Sequence, residues 1–288
     1  MEVYRAEFGK MARDAPALLK LADRVGHVSV GCFVRLFQIG NSAVTTGDLG
    51  HAVTSLQEEV ELQRRLGFGL VTQTLLTLAT VFAWRGEWSD AERYYQEAAS
   101  DEPQFMWSHM CTSACLLARV RFGDPDAAAE IMTIEVAARA GVPNLVGEWE
   151  QLLNVIEGRA ILGERAAAAA LYPLVAEGLG TGAVMSRHSR LWQMVAGIAA
   201  ACGRQWDAAH EHFETALRQA HELPHKIAQP ETRRWYARML LDRNGAGDRD
   251  KARTMLGEAV EMYRTVGMPR HVGLTEQMAG KIGSGATS

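Results

Sequence analysis

Three observations predict an all-α chain of about six helical hairpins with helical pieces at either end. First, a glycine is followed five residues later by an alanine at six places: Gly47/Ala52, Gly86/Ala91, Gly123/Ala128, Gly163/Ala168, Gly203/Ala208 and Gly247/Ala252. At the fifth place Ala209 fits as well, with a turn one residue longer. Second, the pairs recur every 37 to 44 residues, the self-similar period of a helical repeat array. Third, a large apolar residue often stands four positions beyond the alanine: Leu56, Tyr95, Met132, Tyr172, Phe213 (after Ala209) and Leu256. That spacing puts both side chains on one helical face. Such an array is expected to be one continuous stack, because each repeat buries its face on its neighbours.

Taken in order, Asp14 and Pro16 read as the start of a helix running to Arg24, the second helix of a partial repeat over 1–27. Full repeats then follow over 28–67, 68–102, 103–142, 143–182, 183–224 and 225–268. A closing helix over 269–282 and a flexible tail over 283–288 complete the chain. The second full repeat is the clearest. Leu75, Leu78, Ala79 and Phe82 form an apolar stripe, Gly86 makes the turn, and Ala91, Tyr95 and Ala98 face inward on the second helix. Gly26, Gly67, Gly141, Gly180 and Gly267 read as C-caps of second helices. Pro103, Pro143, Pro224 and Pro269 mark joints between repeats. Pro173, inside AAAAALYPLVAEG, is expected to kink or interrupt its helix, which could open a pocket.

The small residue, glycine turn, alanine and aromatic at Ala79, Gly86, Ala91 and Tyr95 resemble the tetratricopeptide repeat, with Gly40 and Gly197 in the small-residue slot elsewhere. The period of about 40 is longer than that family's usual 34. The resemblance implies a right-handed α-α superhelix, a tetratricopeptide-like solenoid with a concave groove. The stretch from Ala220 to Gln277 is further similar to the C-terminal repeats of bacterial multidomain regulators that carry an adenylate/guanylate cyclase or LuxR-type domain with an NTPase module. The resembling residues are Trp235-Tyr236-Ala237, Gly247-Asp248-Arg249-Asp250, Ala252 and Gly267-Met268-Pro269-Arg270-His271. It implies a sensor or interaction arm, either complete in itself or a fragment. No phosphate-binding Gly-x4-Gly-Lys-Ser/Thr loop occurs, so no catalytic residue of those families carries over.

A net charge of −4 gives no electrostatic footprint for nucleic acid or an anionic membrane surface. No apolar run is long enough to span a bilayer. The four cysteines, Cys32, Cys111, Cys115 and Cys202, read as small buried residues of a reducing, cytoplasmic environment.

His221-Glu222-Leu223-Pro224-His225 matches the zinc-protease H-E-x-x-H string. That chemistry needs both imidazoles on one helical face, and Pro224 breaks the helix between them. His221, Glu222 and His225 are therefore only an alternative metal set, no cofactor is expected, and a hydrolase built from His, Glu and Arg of the later repeats is the second functional reading. His210 and His212, two apart, read as a solvated face with Phe213 inward.

The leading reading is a binding scaffold whose groove is lined by the first helices. Its candidates are Trp107, His109, Glu150, Arg187, His188, Arg190, Trp192, Arg233, Arg234 and Trp235. Guanidinium forks beside aromatic faces suit an acidic peptide, a protein domain or a small acidic ligand. An uncovered apolar face before about Leu49 adds the expectation of a homodimer.

Overall fold

The computed structural model describes residues 8–67, 71–100, 108–186 and 190–284. Its helices are α1 (Phe8–Val25), α2 (Val28–Thr46), α3 (Leu49–Arg65), α4 (Val71–Arg85), α5 (Trp88–Ser100), α6 (Ser108–Arg121), α7 (Pro125–Thr133) and α8 (Val146–Ile161). They continue with α9 (Arg165–Ala169), α10 (Tyr172–Gly180), α11 (Trp192–Cys202), α12 (Trp206–Glu222), α13 (Ala228–Arg243), α14 (Asp248–Val266) and α15 (Pro269–Ser284). The fold is all-helical. Among the described residues there is no strand, only an isolated antiparallel bridge between Met185 and Leu191.

The turns explain the pairing. Gly47, Gly86, Gly123, Gly163 and Gly247 all hold φ between 77° and 84°, a region a Cβ disfavours. Each lets one helix fold back on its predecessor. The fifth turn differs: Gly203 is not left-handed, and Arg204 takes φ 56° in its place. The turn is one residue longer, so Ala209 is the alanine buried beneath the hairpin. The third turn shifts the other way. Asp124 caps α7 with Pro125 in its first turn, and Ala127 and Ile131 enter the core, leaving Met132 half-exposed.

Small residues let helices approach. A Cβ on Gly197 would touch the Phe213 ring at 3.0 Å, and Gly158 and Gly178 lie still closer to Ile131 and Trp192. Gly40, assigned the same slot from the sequence, faces nothing within 4 Å. Pro173 interrupts its helix as expected, splitting α9 from α10 at Ala170–Leu171. The second series of glycines holds in part. Gly26, Gly67 and Gly267 are left-handed, but Gly182 replaces Gly180. Gly141 follows an extended segment rather than a helix end, because α7 stops at Thr133. That segment is tied down by α8: Arg159 donates to the Ile134 carbonyl (2.9 Å) and Gln151 accepts from the Ala137 amide (2.8 Å).

Hairpin partners pack together (α2/α3, α4/α5, α11/α12, α13/α14), and first helices also touch in series (α6/α8, α8/α11, α11/α13), the contact pattern of a helical repeat. Late elements also return to early ones. The Lys226 amide donates to the Val44 carbonyl at 2.7 Å, and α15 packs on α4 as well as α14. Arg270 reaches the Phe122 carbonyl at 2.8 Å while lying over the Phe122 ring. The inner helices α4, α8, α11 and α13 are consequently buried on most sides.

Candidate functional site

Burying α8 and α13 this way should leave them apolar, yet both carry polar residues on the buried face. On α8, Asn154 and Glu157 are three apart and fully buried; on α13, Glu231 and Arg234 repeat that spacing. Residues three apart share a helical face, so two polar pairs point into one interior. Arg121 enters from the end of α6, Arg190 from the turn before α11, Tyr263 from α14 and His271 from α15.

These groups form one network. Glu157 is held by Arg190 at 3.2 Å and by Arg121. Arg190 also donates to Asn154 Oδ1, and Asn154 donates to Ser113 at 2.8 Å. Glu231 accepts from Arg234 at 2.9 Å and from the Tyr263 hydroxyl. Arg121 Nη2, 3.9 Å from Glu231, joins the two halves. His271 Nε2 lies 3.6 Å from Glu231.

Burial opposes ionisation of both carboxyls, but the guanidiniums outweigh it. Arg121 and Arg190 hold Glu157 below the usual carboxylate range, and Arg234, with His271 and Arg121, does the same for Glu231. Burial pulls His271 down to about 4, against the attraction of Glu231, so it is neutral at pH 7. Burial and the Glu231 carboxylate push the Tyr263 phenol far up. The site is thus a set of fixed charges and donors, with no activated nucleophile.

Beside the network lies a cavity of about 60 Å³. Its lining includes the polar residues Thr80, Tyr95, Arg121, Asn154, Arg190, Glu231, Arg270 and His271, and the apolar residues Leu117, Ala118, Leu191, Met194, Ile227 and Leu274.

The candidates read from the sequence divide. Trp107, Arg187 and His188 lie outside the described residues. Arg190 and Arg234 come together in the network. Glu150 is buried one turn before Asn154 on α8 and does not line the cavity. Trp192 is core, edge-on to Trp149, and Trp235 is core between Arg234 and Arg238. Arg233 turns outward to Glu258 at 2.7 Å, and His109 is exposed. Arg121, Asn154, Glu157, Glu231, Tyr263 and His271 were not singled out. The available signal was polarity inside apolar helices, as in LLNVIEG.

The H-E-x-x-H string straddles a helix end. His221 and Glu222 are exposed in the last turn of α12, whereas buried His225 accepts the Ala228 amide at 3.0 Å through Nδ1. Among the described residues, no group of three or more His, Cys, Asp or Glu could hold a metal ion. The paired histidines of α12 are not simply solvated. His212 bridges Tyr172 (2.9 Å) and Gln193 (2.6 Å), and His210 meets the Tyr236 hydroxyl, which Lys251 and Glu214 also bond. Burial and Glu214 push the Tyr236 phenol up, so it clamps helices and is not a base. All four cysteines are free, and burial lifts the Cys115 thiol to about 11.

Comparison with protein-family models and with curated proteins gives no match. No helix among the described residues is long and apolar enough to cross a membrane.

Proposed function

We propose that this chain is a tetratricopeptide-like binding module, a right-handed α-α superhelix related to the C-terminal arms of bacterial signalling regulators. It works in the cytoplasm by holding an acidic ligand on its inner face. One observation carries the reading: three guanidiniums converge with two carboxylates in a network of which Arg121, Arg190 and Glu231 line a cavity. Buried ion pairs are commonly neutral or costly relative to apolar packing. A network of this size is therefore a poor device for stability alone, and a good one for preorganised recognition.

The test is a thermal-shift screen of small molecules on wild type and on Ala118→Leu, whose added carbons enter the cavity. Ligands that raise the melting temperature of wild type but not of the filled variant support the reading. A screen in which every stabiliser acts equally on both overturns it.

A second feature favours self-association. Leu18, Leu21, Val25, Val28, Val30 and Phe33 on α1 and α2 are all more than a third exposed. Contiguous exposed apolar groups of this kind mark interaction surfaces, and a second copy of the chain is the partner we assign to them.

A further inference from the structure

The charge around the cavity is not balanced. Arg190 and Arg234 are buried cations and Arg121 is half-buried beside them, while Glu157 and Glu231 are the buried anions they meet. Arg270 adds a further guanidinium at the rim, where it is engaged with Phe122. The imidazole of His271, neutral at pH 7, adds no charge.

The two guanidiniums on the cavity wall are also incompletely used. Arg121 and Arg190 each leave an Nε–H with no protein partner among the described residues. Both Nε atoms are buried, and both residues line the cavity. An Arg that spends only its Nη groups on a carboxylate keeps donors for a second acceptor. A buried donor without an acceptor is costly, so both guanidiniums gain by turning toward a ligand oxygen in the cavity.

We infer that the cavity binds a small monocarboxylate with a short apolar tail, its carboxylate accepting hydrogen bonds from Arg121 and Arg190. The excess of guanidinium selects an anion, and a planar carboxylate matches the planar forks of Arg121 and Arg190. The apolar part of the lining selects the tail. Ala118, Leu191, Met194 and Ile227 offer apolar surface, and the Thr80 and Tyr95 hydroxyls that also line the cavity are bonded to each other. The volume of about 60 Å³ holds the tail to a few carbons.

This inference rests on the interior cavity being the binding surface, and the experiment separates the two. Butyrate, butyramide, butylammonium and inorganic phosphate are titrated into the full chain by calorimetry, using wild type, Ala118→Leu and Arg121→Gln. Butyrate binds wild type, butyramide binds at least about tenfold more weakly, and Ala118→Leu abolishes butyrate binding. Arg121→Gln weakens it about tenfold or more. Arg121→Gln also strips a partner from Glu157, whereas Ala118→Leu leaves every charge in place. The filled variant therefore decides the matter if the arginine variant does not fold.

Butyramide or phosphate binding as tightly as butyrate overturns the carboxylate assignment. If butyramide or butylammonium binds and Ala118→Leu removes that binding, the cavity remains the binding surface and only the ligand class is wrong. If no probe binds, the carboxylate inference fails. If butyrate binds equally to wild type and Ala118→Leu, its site lies elsewhere.

Discussion

The Arg190 guanidinium lies 3.2 Å from the Glu157 carboxylate, and both side chains are shut away from solvent. They are 33 positions apart in the chain, one before α11 and one on α8. Their meeting defines the interior from which the functional reading follows.

Removing one partner of a buried pair leaves the other uncompensated. Glu157→Gln and Arg190→Met should each lower unfolding free energy by about 3–5 kcal/mol, read from urea denaturation. Arg253→Ala, which breaks the exposed pair with Asp250, should leave the midpoint unchanged because surface pairs contribute little. Equal effects at the two sites would contradict the buried network.

The carboxyls and His271 set the pH dependence in one direction. The folded values of Glu157 and Glu231 are depressed, so their contribution is present above the unfolded carboxylate range and is lost in acid as pH falls toward the folded values. His271 acts in a higher window. Its folded value of about 4 lies below the ordinary imidazole value of 6.5, so between these the unfolded chain binds a proton that the native state does not. Stability should drop by about 3 kcal/mol as pH falls from 7 to 4 through this group. His271→Gln should flatten that slope in urea midpoints measured at pH 7, 6 and 5; an unchanged slope would contradict the assignment.

Close helix approach at glycine makes a specific demand. Gly178→Ala drives a Cβ into the Trp192 ring and should cost about 1–3 kcal/mol. Gly158→Ala meets the terminal methyl of Ile131, a flexible end, and Ile131→Val in the same chain should restore part of its loss. Thermal melts of the single and double variants check the order.

The α1–α2 surface should bring two chains together. Light scattering at rising concentration should show a dimer that Leu21→Lys with Val25→Lys dissolves, both residues being exposed. A monomer mass throughout would contradict this.

Much of the helix pairing was legible, because a turn needs a residue free of Cβ strain and Gly47, Gly86, Gly163 and Gly247 supply it at regular spacing. Single-residue shifts were not. Whether Ala127 or Ala128 enters the core depends on the Asp124 cap, and whether Gly203 or Arg204 takes the left-handed position depends on packing across the hairpin. The site was half legible. Arg190 and Arg234 stood out as arginines of first helices, but Glu157 and Glu231 become their partners only when distant helices meet. Trp192 and Trp235 misled for the same reason: an indole that could face a groove looks the same in sequence as one that fills a core.

Hydrogen exchange by mass spectrometry, with and without a saturating acidic ligand, tests the central claim most directly. Protection concentrated in 117–122, 190–194 and 268–275, where the cavity wall is drawn from α6, α11 and α15, is the predicted result. Protection confined to α3 or α12, with those segments unchanged, would contradict an inner binding surface.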